Sequence, residues 1–472
     1  MAVLQNIRNG YFRLEAVQNV LRAYFVPRTI RPAQVPGIRF RHIYTGAMGN
    51  IWANLIAGIF FIYFGNRIGM TPFEWGVMGS ITSLMLLSEL LSAALTQRVG
   101  HRKGLWFVFA MLDRGLRFGG IVLALILWRW YGWAHASVAL IAAVSLATLM
   151  GAMAGPPWLS WLADLIPEEE HGAFWGRRSV WVNLSVVLTV VPAGIVMDRL
   201  PEQYKMRYTM AVFAVATVLG VLDVVIHGTI PEPRMSRPRE RRMLPQLLEP
   251  LRDRAFRPLL AFNFCWTFSM MIGGALLLVY MMEDLDCKRR FLGTALATTS
   301  TYITGAALTA GWTGKLVDRL GAKRVMFWTY LFWAAIPFCW FFFTPASVLY
   351  ITAAVNFVAG GVITAGMNAM LKIQTRFPPP EHRPMYIAVS NSVNYVAAAV
   401  AAFLAGVIVQ ALSDWEWDIG AVTLHRYDVL AAISLTLRMA SVLFLLNRIR
   451  ERRDNGESEA AKLGTSEHVS KP

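Results

Sequence analysis

The chain is poor in charge and nearly devoid of cysteine: of its 472 residues only 16% are Asp, Glu, Lys or Arg, and three are Cys. Cys265, Cys287 and Cys339 are too few and too scattered for a disulfide framework or a metal cluster, and they read as packing thiols. There is no HExxH, GxSxG or CxxC motif, and no glycine-rich phosphate loop with its lysine. No enzymatic activity, cofactor or metal is therefore expected. Residues 1–42 lack a continuous apolar stretch of the kind that leads a cleaved signal peptide, and that segment is expected to stay.

What the sequence has is apolar surface. Hydrophobic residues make up 56% of the chain and the mean hydropathy is +0.45, more than one soluble core can bury. Runs long enough for a hydrocarbon layer ~30 Å thick follow one another. They must be helical, because an unpaired backbone group in lipid costs several kcal/mol. Spans are expected near 43–65, 74–97, 104–128, 136–163, 178–198, 208–229, 257–282, 291–314, 325–343, 346–373, 385–411 and 427–447. The expected fold class is an all-α integral membrane protein of twelve transmembrane helices.

A net charge of +16 would suggest nucleic acid in a soluble protein, but here most of the 45 Lys and Arg residues occupy connections on one side of the spans. They report topology, so no nucleic-acid partner is expected and the lipid bilayer is the surrounding medium. The basic side is the cytoplasmic side of the cell membrane, and it holds both termini. Residues 1–42 form a basic N-terminal segment with Arg8, Arg13, Arg22, Arg28, Arg31, Arg39 and Arg41. Apolar residues from Ile7 to Phe25 recur at helical spacing there, which suits a helix on the anionic inner leaflet, a basic tail being the alternative. Pro27, Pro32 and Pro36 are expected to end any such helix. Six spans lie in 43–230 and six in 257–447, joined by a basic linker, 231–256, that carries Arg234 to Arg254; a polar, disordered tail occupies 448–472.

An internal repeat supports two halves. Gln97-Arg98-Val99-Gly100-His101-Arg102-Lys103 lines up with Asp318-Arg319-Leu320-Gly321-Ala322-Lys323-Arg324, Ala154-Gly155 and Pro167 with Ala365-Gly366 and Pro378, and Arg207-Tyr208 with Arg426-Tyr427. The stretch Gly314-Lys315-Leu316-Val317-Asp318-Arg319-Leu320-Gly321-Ala322-Lys323-Arg324 closely resembles the signature loop of the major facilitator superfamily. In the first half Ala93 and Gln97 stand where that pattern has Gly and Asp. The resemblance implies two pseudo-symmetric six-helix bundles around a central cavity, exposed alternately to either side by rocking. It also implies a gating role for Arg98, Gly100 and Arg102 in one half and for Gly314, Asp318, Arg319, Gly321, Lys323 and Arg324 in the other.

In that family the first, fourth, seventh and tenth helices line the cavity. They offer Asn50 and Asn54, then Asn263 and Trp266, then Asn356, Gly360, Thr364 and Asn368 one turn apart. Such a stripe is costly against lipid and should face the cavity or another helix, with interhelical hydrogen bonding as the competing role. Trp52, Trp158 and Trp161 add flat apolar surface for packing or anchoring. None of these helices has an acid or base along its middle, so the expected substrate is a small neutral or amphipathic organic solute. The charges lie instead in the second and third helices, Glu89 with Asp113, Arg114 and Arg117, at matching depth. Two acids and two bases balance as a structural network, and the alternative is a proton site that makes the proton a coupling ion. Asp223 and Arg438 have no evident role. The expectation is an alternating-access transporter, secondary active or facilitative; a non-transporting receptor or scaffold of the same fold is the alternative.

Arg8, the Arg234 to Arg254 linker and Lys462 are expected to share the cytoplasmic side. Cysteines introduced at these three places should resist membrane-impermeant reagents in intact cells and react after permeabilisation. Labelling from outside at any of them would contradict the topology.

Overall fold

The computed structural model describes residues 30, 34–165, 171–233, 243–376, 383–419 and 422–449. The expected surface helix from Ile7 to Phe25, the linker arginines Arg234 to Arg242, the Pro167 to Glu170 and Pro380 to His382 loops, and the tail from 450 lie outside the described residues. Among the described residues twelve helices of membrane length form the body. They are α1 (Val35–Arg67), α2 (Pro72–Val99), α3 (Arg102–Tyr131), α4 (Trp133–Ala163), α5 (His171–Arg199) and α6 (Glu202–His227). The second set is α7 (Arg257–Glu283), α8 (291–320), α9 (Ala322–Phe342), α10 (Val348–Arg376), α11 (Arg383–Ala411) and α12 (Arg426–Arg448).

Ten of these are apolar enough to count as spans by length and composition alone. The other two are instructive: α3 carries Asp113, Arg114 and Arg117 at mid-length, and α8 is threonine-rich and interrupted by a wide turn at Leu296–Ser300. The first helix starts at Val35, ahead of the expected 43, and Pro36 lies in its opening turn instead of ending a helix. Proline is tolerated there because the first-turn N–H groups have no helical partner to lose. Thr71 starts α2 with a capping box: its hydroxyl accepts from the Glu74 N–H while the Glu74 carboxylate accepts from Thr71 N. Gly100 and Gly321 end α2 and α8 at φ of +70° and +83°, the left-handed turn that the sequence repeat anticipates. A short antiparallel hairpin, β1 (Glu416–Ile419) with β2 (Val422–His425), joins α11 to α12.

The packing repeats. Helix α1 lies against α5 and α6, and α4 against α2 and α3; likewise α7 lies against α11 and α12, and α10 against α8 and α9. The breaks repeat too: α1 is interrupted at Gly58 and α7 at Ala275–Leu276. The halves meet along α2–α11 and α5–α8, two seams related by the same pseudo-symmetry.

Depth separates the cores. One apolar cluster includes residues of both halves, among them Phe60, Phe64, Phe213, Phe291, Ala401 and Tyr427. It sits at the end opposite Ile30 and Ile449, the described chain ends; that end is the far end and the other the terminus end. Toward the terminus end each half keeps its own core, around Trp106 and Trp161 in one and around Phe262 and Tyr330 in the other.

Where backbones touch, glycine is required. A Cβ on Gly305 of α8 would fall on the Phe357 carbonyl of α10, and one on Gly360 would lie 2.7 Å from Ala306 N. Gly305→Ala and Gly360→Ala should each lower stability by ~1–3 kcal/mol through overpacking. Gly115→Ala, whose added Cβ meets nothing within 4 Å, should not. Thermal unfolding in detergent or nanodiscs checks the contrast.

Candidate substrate site and charge network

The loop residues fix the terminus end. Arg102, 1% exposed, donates to the Ser160 carbonyl at 3.0 Å, to Asp164 at 2.5 Å and to the Pro233 carbonyl at 3.0 Å. Glu232, equally buried, accepts from Arg102 N at 2.8 Å and so caps the start of α3. This ties the beginning of the linker to the second-to-third-helix turn. In the other half Lys323 does the matching job by donating to the carbonyls of Asn447 and Ile449 at 3.1 and 2.8 Å, the end of α12. Arg98, Arg319 and Arg324 are exposed around these turns. Gly314 and Asp318 lie in the last turns of α8, with their side chains outside the described set.

The amides proposed from the sequence divide among three places. Asn50 donates to the Val182 carbonyl of α5 at 3.4 Å and borders a cavity inside the N-terminal half, and Asn54 donates back to the Asn50 carbonyl. Asn263 is buried and donates to Ser390 Oγ of α11 at 2.6 Å, and Trp266 packs on Tyr330 and Trp333 of α9. Asn356 donates to the Ala297 carbonyl in the wide turn of α8 at 2.9 Å, Gly360 abuts α8, and Thr364 donates back to the Gly360 carbonyl at 2.6 Å. Only Asn368 of that stripe is exposed. The stripe thus largely faces α8.

The charge network differs from the expected pairing. Asp113 accepts from Arg117 at 3.1 Å and from Arg114 at 3.3 Å, as helical spacing suggests. Arg114 also reaches Asp223 of α6 at 3.4 Å and lies 4.2 Å over the ring of Trp52. Glu89 does not join them. Its carboxylate turns across the seam and accepts from the Tyr395 hydroxyl of α11 at 2.8 Å. Matching depth on two helices did not specify which face of α2 carries Glu89.

Sequence reasoning missed Arg178, His42 and His227, which complete this region. Arg178 of α5 lies 5.5 Å over Trp158. His227 packs edge-on against His42 at 4.3 Å, contacts Thr45 through Nδ1 at 2.9 Å, and at Nε2 accepts from Trp158 at 3.2 Å. The signal that was present is Gly46-x-x-Gly49-Asn50. A Cβ on Gly46 would lie 2.6 Å from the Arg178 guanidinium, and one on Gly49 would lie 2.6 Å from the Asp223 carboxylate. Small residues one turn apart on α1 make room for charged side chains from α5 and α6. Among the described residues no group of three His, Cys, Asp or Glu is placed to hold a metal ion.

The seams at the far end are of two kinds. Along α2–α11, Gly76 meets Gly406 and the Ala402 carbonyl, with the Phe73 and Phe403 rings 6.2 Å apart. Along α5–α8, Asp198 accepts from the backbone N–H groups of Phe291 and Leu292 at 2.6 and 2.9 Å. That carboxylate from one half caps a helix of the other.

The sequence matches the family model described as Major Facilitator Superfamily over residues 43–288 and 259–469. No curated protein matches it significantly. Among solved structures it is similar to a mutant of the nucleoside transporter NupG, with TM-score 0.63, 8% identity, and 88% of this chain and 100% of that one covered. It is also similar to the xylose transporter XylE from E. coli in an inward-open conformation, at TM-score 0.62 and 14% identity over 90% and 99% of the two chains. A bacterial homologue of the iron transporter ferroportin in an inward-facing state gives TM-score 0.62 and 14% identity over 87% and 98%.

Asp113→Asn removes a carboxylate shared by two guanidiniums and should cost about 3 kcal/mol of stability. Glu89→Gln leaves an amide oxygen for the Tyr395 hydroxyl and should cost less than about 1 kcal/mol, as should Tyr395→Phe. Unfolding of the purified variants measures both, and equal losses for Asp113→Asn and Glu89→Gln would contradict the separation of the two sites.

Proposed function

This chain belongs to the major facilitator superfamily, and we propose on that premise that it moves a small, neutral or amphipathic organic solute across the cell membrane by alternating access. As a family member it is a multi-pass membrane transporter and not an enzyme. The observation that carries the finer reading is the distribution of apolar core: shared at the far end, separate at the terminus end. With the termini cytoplasmic, this is the arrangement closed to the outside and open to the inside.

The proposed cycle is a rocking of the halves that parts the α2–α11 and α5–α8 seams at the far end and brings the terminus ends together. Asn50, Asn54 and Asn368 are proposed to meet the solute; Asn263, Trp266, Asn356 and Thr364 are already engaged with neighbouring helices and are proposed to hold the walls. Arg98, Arg102, Arg319, Lys323 and Arg324 are proposed to gate the cytoplasmic side. Neighbours that carry xylose and nucleosides agree with a polar organic solute, although at 8–14% identity they speak to the fold alone. Asp113 and Asp223 each lie against a guanidinium, which favours a structural network over a proton carrier.

Screening sugars, nucleosides and amphipathic organic compounds by thermal shift should identify a solute, since a bound ligand stabilises by RT ln(1 + [L]/Kd). Gating is then tested by a cross-link. The Cβ of a residue at Gly79 would lie 3.2 Å from Ala402 Cβ, within reach of a disulfide. In a background with Cys265, Cys287 and Cys339 replaced, oxidised Gly79→Cys/Ala402→Cys should stop counterflow in proteoliposomes, and reductant should restore it. Undiminished counterflow in the cross-linked protein would overturn the mechanism.

A further inference from the structure

On the outer face of the N-terminal half a groove of about 500 Å³ runs between α1 and α5, beginning at their terminus ends. Trp181, Leu184 and Leu188 form its α5 wall, and Phe40, Ile43 and Ala47 its α1 wall. Leu188 is 65% exposed, so the groove is open along its length.

It opens to lipid and not to the space between the halves. Its α5 wall belongs to a stripe of exposed positions at helical spacing, Arg177, Trp181, Leu184, Leu188, Pro192 and Val196. The stripe continues to the depth at which the halves are joined. There Val196 is still 43% exposed, whereas Met197 is buried and Gly194 lies against Leu292 of α8. A face that stays exposed where the two bundles are sealed together points into the bilayer.

The length of the groove matches one leaflet. From Arg177 to Leu188 the helix rises roughly 16 Å, about half of a hydrocarbon layer ~30 Å thick. The apolar span of α5 starts at Gly176, which puts the Arg177 guanidinium at the membrane surface and Leu188 near the midplane.

Charge at the mouth selects the headgroup. Arg177 is exposed there, and among the described residues that line the groove there is no carboxylate. Residues 16–73, which include all of α1, contain neither Asp nor Glu. The N-terminus of α1 lies at the same end, with Pro36 in the lining and no acid in its first turn, so its dipole adds positive potential. Arg39 at this end already has a partner, and Arg177 is therefore the side chain assigned to the headgroup. A zwitterionic headgroup would bring a second cation to an acid-free mouth; an anionic one brings only the charge that basic pockets beside membrane helices attract. The segment 1–29 precedes α1 at this end, but it carries Arg8, Arg13, Arg22 and Arg28 against the single acid Glu15, and the same potential repels it.

We propose that this groove binds one anionic phospholipid, its headgroup at Arg177 and an acyl chain along Trp181, Leu184 and Leu188. With the termini cytoplasmic, that lipid belongs to the inner leaflet.

The test uses the full-length protein in phosphatidylcholine nanodiscs. Phosphatidylglycerol brominated on its acyl chains is introduced at rising mole fraction, with brominated phosphatidylcholine as the parallel arm. Bromine quenches an indole that it touches, and the difference between the unaltered protein and Trp181→Phe isolates the signal of Trp181. That signal should reach half-saturation at a mole fraction at least fivefold lower with brominated phosphatidylglycerol than with brominated phosphatidylcholine. Arg177→Gln should abolish this preference, Arg177→Lys should keep most of it, and Arg199→Gln, at the far end of the same helix, should leave it unchanged. Equal half-saturation by the two lipids, as ordinary boundary lipid gives, would overturn the site. So would an unchanged preference in Arg177→Gln, or a Trp181 that neither lipid quenches, the result if segment 1–29 fills the groove. Both leaflets of a nanodisc carry the same lipid, so the outcome does not depend on which end is cytoplasmic, and its failure leaves the transport reading standing.

Discussion

Phe291 is fully buried at the start of α8, its ring 5.4 Å from both Phe60 and Tyr63 of the opposite half, and its backbone N–H is held by Asp198. Through this contact and the glycine seam beside it, two helix bundles share one apolar core. The halves also touch deeper in the membrane, where the Tyr395 hydroxyl meets Glu89, but the apolar core that they share lies at one end. At the terminus end the cores are separate, so the proposed rocking can part the far-end seams while each half keeps its own core packed. The ties at the terminus end have a complementary character. Arg102 with Glu232, and Lys323 with the last carbonyls of α12, join helices within a half and leave the halves free of each other.

The duplicated halves have diverged in how they fill their interiors. In the first, glycines on α1 admit the Arg178 guanidinium from α5 and the Asp223 carboxylate from α6, and Trp52 and Trp158 supply aromatic faces for Arg114 and Arg178. In the second, the corresponding space is taken by packed aromatics, with Trp266 tilted against Tyr330 and edge-on to Trp333, and by amide and hydroxyl bonds such as Asn263 to Ser390. Arg438 is buried there and donates to the Trp333 carbonyl.

The twelve helices and the two halves were legible in the sequence because lipid imposes a single secondary structure and a fixed length on every span. The glycine turns at Gly100 and Gly321 were legible for a similar reason: only glycine takes a positive φ there without cost. What a helix carries on which face is a weaker signal. The Asn356, Gly360, Thr364 stripe had the right period for a polar face but gave no indication of what it faced, and it turns to α8. Asp113 with Arg117 is a local pair one turn apart and was readable. Arg114 with Asp223, and Glu89 with Tyr395, join residues far apart in the chain and depend on helix rotation, which hydropathy does not encode. Arg178 stayed hidden because it stands at the expected edge of a span, where an arginine reads as a topology marker.

The two far-end seams also differ in what water does to them. Along α2–α11, Gly76 lies against Gly406 and a carbonyl already used within its own helix, so solvent gains little by entering. Along α5–α8 the contact is a carboxylate on two helix-end N–H groups, all of which hydrate readily once apart. Under the proposed rocking, separation of such a joint would be a peel. The crack would start at the wet edge, where each broken bond is replaced by one to water, and run toward the dry edge, which would let go last and act meanwhile as the fulcrum. The halves would then swing open on one side, and the repeat's symmetry of shape would coexist with a handedness of motion.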